Sequence, residues 1–172
     1  MSYVVFDPKV NRPLHELPRK EAHDAYDWFL KNVPVRLQEL TKVVKKYGID
    51  LDFSEKSLLD LHAWFYDVAK EEHFLGNKAP SPELFSICND IGIYIADILF
   101  RVLPNVKWDL FIADDRGLSY QRPVLIGFNV KNKDYHVDLD YLICQYAFRI
   151  LNAGKKENDL FLTLYNRGLT LK

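Results

Sequence analysis

The chain of 172 residues is about the length of one domain, and its 48% hydrophobic content is enough to bury a core without disulfides or metal. Twenty-three basic and 24 acidic side chains give a formal charge of -1, so no global positive field exists to hold a nucleic acid backbone or an anionic membrane surface. Two cysteines are too few for a secreted disulfide framework, and no basic leader or membrane-length apolar run is present, so one cytoplasmic globular domain over residues 1–172 is expected.

The order of elements is read from hydrophobic period. After a short extended start at residues 3–6, Ala22, Ala25, Tyr26, Phe29 and Leu30 fall on one helical face. Pro34 fits the first turn of a second helix carrying Leu37, Leu40 and Val44 and stopped by Gly48, which predicts a sharp corner near Asn32. A third helix starts at a Ser54 or Ser57 cap and buries Leu58, Leu61 and Phe65. The breakers of "GNKAPSPE" form a loop, after which Ser81 caps a helix over 82–102 with Pro82 in its first position. Apolar residues fill well over a third of that helix's circumference, which predicts a central position with the other helices around it.

Beyond Pro104, "VKWDLFIA" and "RPVLIGFNV" alternate with the period of half-buried strands, and a loop of Asp and Gly joins them as an antiparallel hairpin over 106–113 and 122–130. Leu139, Ile143, Tyr146 and Ile150 then mark a helix ending at Gly154, and a last short helix is closed by Gly168. The fold class expected is α+β: about six helices, a small antiparallel sheet with residues 3–6 as an added strand, and a core holding Ile91, Ile95, Ile98, Trp108 and Phe128.

Few residues carry chemistry. "HVDLD" spaces His136, Asp138 and Asp140 at every second position, which in a strand would bring three metal ligands to one face. The helical face that starts at Leu139 instead makes "VDLD" a first turn, where Asp138 or Asp140 accepts backbone N–H groups, so no metal site is expected. The histidines form no i, i+4 pair, Cys88 and Cys144 lie on apolar faces that favour neutral thiols, and the seven glycines never reach phosphate-loop spacing. No catalytic residue and no cofactor are therefore expected.

The departure from neutrality is local. Residues 50–73 carry seven acidic side chains against Lys56 and Lys70, while residues 1–49 carry nine basic and six acidic ones. Helical spacing gathers Asp60, Asp67 and Glu71, with Asp52 and Glu55 just before them, into an acidic face able to steer a basic partner. Asp114, Asp115 and Arg116 at the hairpin tip form either a solvated turn or a recognition loop.

From about Leu84 to Leu151 the helix containing "NDIGIYIADILF", the strands "LPNVKWDLFIA" and "RPVLIGFNV", and the helix opened by "HVDLD" follow one another. That order resembles small bacterial proteins of uncharacterised families, some of them immunity proteins found beside polymorphic toxins. The resemblance implies a non-enzymatic protein-binding module that neutralises a cognate partner, and an acidic helix would suit a basic one. It supplies no catalytic residues. The alternative is a small enzyme or ligand-binding protein with a pocket between the core helix and the hairpin, where His62, Tyr94, Asp97 and Trp108 converge.

Overall fold

The computed structural model describes residues 3–171. Among these, five α-helices and one two-stranded antiparallel sheet give an α+β fold, with a single 3-10 turn at Leu14–Glu16. Helices α1 (Arg19–Lys45), α2 (Glu55–Phe74) and α3 (Pro82–Val102) precede strands β1 (Lys107–Leu110) and β2 (Pro123–Ile126); α4 (Leu139–Ala153) and α5 (Leu160–Leu169) follow. None of the helices is long and apolar enough to cross a membrane.

The corner expected at Asn32 does not exist, because α1 runs through Pro34. Ala22, Phe29, Arg36 and Val43 recur every seven residues along this helix and are all buried. One continuous stripe therefore packs on both sides of the proline, and that burial outweighs the roughly 3 kcal/mol a helix-interior proline costs. The Asn32 amide donates to the Trp28 carbonyl at 2.8 Å in the turn just before it. Merging two expected helices into one is why the helices number five rather than six.

Helix starts follow local chemistry. The Ser54 hydroxyl accepts the Ser57 N–H at 3.1 Å, the Ser81 hydroxyl accepts the Leu84 N–H at 3.1 Å, and the Asp138 carboxylate accepts the Tyr141 N–H at 2.9 Å, each satisfying an otherwise unpaired donor of the first turn. α4 stops at Gly154, which takes the left-handed conformation at φ 62°. Gly168 is not the stop expected for α5; it lies inside that helix, where a Cβ would come within 2.6 Å of Leu99 Cδ2, so it allows close approach to α3.

Ile91, Ile95, Ile98 and Phe128 are buried, whereas Trp108 is only half-buried. α3 packs on α1, α4 and α5, but α2 packs chiefly on α4 and α5, so the helices do not simply surround α3 as expected. The sheet is shorter than the alternation implied. Trp108 pairs with Leu125 and Asp109 with Val124, then β2 ends at Gly127, whose φ of +94° breaks the pleat. On its far edge β2 meets Val137 alone: the Leu125 and Val137 N–H groups each donate to the other residue's carbonyl at 2.9 Å. Residues 3–6 add no strand. Their partners are side chains of α1 and α3: the Arg36 guanidinium donates to the Val4 carbonyl at 2.7 Å and the Phe6 N–H donates to the Ser86 hydroxyl at 2.8 Å.

His62 is 1% exposed, stacked on Tyr146 with centroids 5.3 Å apart and edge-on to Phe161 at 5.0 Å. Its Nε2 has no hydrogen-bond partner among the described residues. Burial, with a smaller contribution from Lys156, holds its pKa below the ordinary 6.5. The folded protein therefore resists protonation that the unfolded chain accepts. Stability is fully present above about pH 6.5 and falls as the pH drops from there toward the folded value. Denaturant midpoints measured across this range should show the decline in the wild type and a flatter profile in His62→Phe.

Candidate functional site

A cavity of about 320 Å³ opens where five separate stretches of chain meet. Val5 and Phe6 of the N-terminal segment form one wall, Ala25, Tyr26 and Phe29 of α1 another, and Ser86, Asn89 and Gly92 of α3 the floor. Trp108, Gln121 and Arg122 of the hairpin and Asp140 of α4 complete it. The volume falls within the range of small-molecule sites, as does a lining of mostly apolar and aromatic groups with a few polar ones.

The walls are held by specific contacts. Trp108 meets the edges of Phe29 at 5.1 Å and of Phe100 at 6.0 Å, both nearly perpendicular, which fixes its ring. The N-terminal wall is pinned from behind. Arg36 donates to both Asp90 carboxylate oxygens at 3.0 and 2.6 Å and to the Ser86 hydroxyl at 2.9 Å, and the Tyr3 hydroxyl donates to Asp90 as well. Arg36 and Asp90 are 4% and 0% exposed. Burial works against the Arg36 charge, but the hydrogen bonds and charge of Asp90 more than offset it and hold its pKa above the ordinary value.

On the hairpin side, Arg122 is clamped between two carboxylates: its Nε donates to Asp138 and its Nη2 to Asp140, both at 2.6 Å. Burial opposes its charge, yet Asp140 and Asp138 keep it firmly cationic. Asp140 itself is pushed above the usual carboxylate range by burial, which Arg122 only partly counters and Asp138 reinforces. Its second oxygen receives only the Cys144 thiol, at 3.5 Å. That thiol lies beside Cys88 between α3 and α4, and burial pushes the Cys88 thiol well up. Across the cavity, burial together with Asp109 and Asp27 pushes the Tyr26 phenol up to about 12, so it stays neutral.

Gln121 is the least ordinary residue here. It is 1% exposed and has a φ of 58°, the left-handed region that residues other than glycine rarely adopt. Hydrogen bonds hold it there. Its backbone N–H donates to the Phe111 carbonyl at 2.7 Å, and its side-chain amide donates to the Leu14 and Leu17 carbonyls at 2.7 and 2.9 Å. The Oε1 is left buried and without a partner among the described residues, an acceptor whose desolvation nothing repays.

The residues singled out from sequence are spread widely. Of His62, Tyr94, Asp97 and Trp108, only Trp108 lines the cavity. His62 is sealed in the core, the Tyr94 hydroxyl accepts the Phe53 N–H at 2.9 Å and bonds Ser57, and Asp97 pairs with Arg101 at 3.3 Å. In the acidic stretch, Asp52 accepts two hydrogen bonds from Ser54, Asp60 pairs with Lys56, and Glu55, Asp67 and Glu71 are exposed. Asp114, Asp115 and Arg116 are exposed at the tip, where Asp114 accepts the Arg116 N–H at 3.0 Å in a local turn. His136 sits over the Phe111 ring at 3.8 Å, while Asp138 and Asp140 serve Arg122, so "HVDLD" splits between two tasks. Sequence reasoning missed Gln121 and Arg122; a signal for the latter lay in two carboxylates at the start of an apolar helix with an arginine just before the preceding strand.

The chain belongs to the family described as uncharacterised protein YwmA, whose model matches residues 19–112. The matched stretch runs from α1 through β1 and so includes Tyr26, Phe29, Asn89 and Trp108, but not Gln121, Arg122 or Asp140. No curated protein and no solved structure matches.

Proposed function

We propose that this YwmA family member binds a small, largely apolar ligand in the cavity between α1, α3 and the hairpin. The observation that carries this reading is Gln121: a buried, left-handed glutamine with an unpartnered acceptor in the wall of a 320 Å³ cavity. Strain and an unmet hydrogen bond each cost stability, and they persist at sites where something else is gained. The test is a fragment screen by amide NMR on the wild type and on Ala25→Trp, which fills the cavity from α1. Fragments should shift Gly92 and Gln121 amides in the wild type and lose that effect in the variant while its circular dichroism is unchanged. Absence of any such fragment, or shifts that survive in the variant, would remove this reading.

A second reading, of a protein-binding module of immunity or inhibitor type, is favoured by the end of α2. Phe74 and Leu75 are 74% and 80% exposed there, beside the acidic Asp67 and Glu71. An aromatic anchor with carboxylates near it suits a basic protein surface, which would displace the Lys70 ammonium now 5.4 Å from the Phe74 ring. A partner retained at low salt and lost at high salt, with Phe74→Ala weakening capture and Asp67→Lys/Glu71→Lys abolishing it, would support this reading; capture unchanged by these variants would dismiss it.

A further inference from the structure

We infer that the ligand of this cavity carries a protonated amine on an apolar, aromatic-sized body. The inference rests on the ligand-binding reading above and adds the ligand's chemical class.

Charge balance is the first support. Arg122 is the only cationic residue among the described residues that line the cavity, and its Nε and Nη2 are committed to Asp138 and Asp140. The cluster is thus one positive charge short. An anionic ligand would bring a third carboxylate to one guanidinium, whereas a cation would neutralise the surplus. Asp27 and Asp109, close enough to Tyr26 to disfavour its ionisation, bias the α1 side in the same direction.

Unused hydrogen-bonding capacity is the second. Two acceptors of the lining are poorly met: among the described residues Gln121 Oε1 has no partner, and Asp140 Oδ1 has a weak thiol donor at 3.5 Å. An ammonium group has three donors and no acceptor, which suits these two oxygens and, unlike a carboxylate, adds no negative charge beside Asp140. The third support is the lining. Tyr26, Phe29, Phe85 and Trp108 present aromatic surface, whose faces attract a cation and whose area buries an apolar body.

The probes are 2-phenylethylamine, 2-phenylethanol and 3-phenylpropionate, titrated separately into the labelled full chain at neutral pH and followed by amide NMR. The amine should bind at least about tenfold more tightly than the alcohol, as a charge-assisted hydrogen bond allows, and the acid should bind weakest. Asp140→Asn should bring the amine down to the level of the alcohol measured in the same variant, whose circular dichroism reports whether it is folded. The ranking in the wild type stands as a test even if that variant does not fold. Equal binding of all three, or tightest binding of the acid, would overturn the amine inference and leave the cavity reading standing. Failure of every probe to shift Gly92 or Gln121, together with an empty fragment screen, would overturn both.

Discussion

Replacing Arg36 by alanine should cost roughly 3–5 kcal/mol of folding stability, because it leaves the Asp90 carboxylate fully buried without its countercharge. That is a large share of the 5–15 kcal/mol by which a domain is usually stable. The remaining donors to Asp90, from Tyr3 and Asn89, are neutral and cannot replace a bidentate guanidinium. The double variant Arg36→Met/Asp90→Leu should recover most of the loss, since two apolar groups need no countercharge. Guanidinium denaturation of both variants distinguishes this from simple loss of packing: if the double variant is as unstable as the single one, the buried charge is not what matters. A second effect should accompany the first. Arg36 also holds the Val4 carbonyl and stacks its guanidinium 5.5 Å from the Tyr3 ring and 5.8 Å from Phe6. Below its unfolding transition, Arg36→Ala should therefore bind cavity fragments more weakly, because Val5 and Phe6 are no longer held in the wall.

Gly127→Ala should be nearly as damaging, at roughly 3–5 kcal/mol. The position combines a φ of +94° with a Cβ site 2.0 Å from the Asn105 carbonyl oxygen and 2.8 Å from its carbon. Both colliding atoms are backbone, so no side chain can turn aside. Relief requires the turn at Asn105 to move away from the end of β2, and with it the register that places Trp108 against Leu125. Gly48→Ala provides the comparison: φ is +77° but nothing lies within 4 Å, so only the conformational cost of about 1–2 kcal/mol applies. Similar midpoints for the two variants would show that the contact at Asn105 relaxes freely.

Much of this fold was legible in the sequence where the governing physics is local. Ser81 followed by Pro82, Asp138 before an apolar helical face, and Gly154 after it each act within one turn, and each lies where the pattern placed it. Pro34 misled for the opposite reason. Its local effect is to end a helix, but the seven-residue stripe of Ala22, Phe29, Arg36 and Val43 against α3 is a tertiary term that a proline cannot reverse. The strands were overread because alternation continues past Leu110 while the chain turns: Phe111 is buried out of phase and Ile112 exposed.

The cavity was the least legible part. Its position between α3 and the hairpin follows from element order, but its polar residues do not. Gln121 sits in a stretch rich in Asp and Gly that reads as a solvated loop, and only contact with carbonyls 104 and 107 residues earlier in the chain makes it a buried wall. Tyr94 and His62 offered polar groups on otherwise apolar helix faces, yet each is consumed by core packing. Pairings of this kind are set by three-dimensional proximity, and no period of 2 or 3.6 residues encodes them.

The pinning of residues 3–6 has a consequence for how the molecule is made. Tyr3 and Phe6 find their partners, Asp90 and Ser86, 87 and 80 residues further along the chain. At 5–20 residues per second, the ribosome takes roughly 4–17 s to supply α3 after the first residues emerge. During that interval Tyr3 and Phe6 have α1 beside them but lack their α3 partners, and the cavity cannot close until long after α1 has formed. An N-terminal fusion or tag that hinders this late insertion should therefore impair the cavity while leaving the helical bundle behind it assembled.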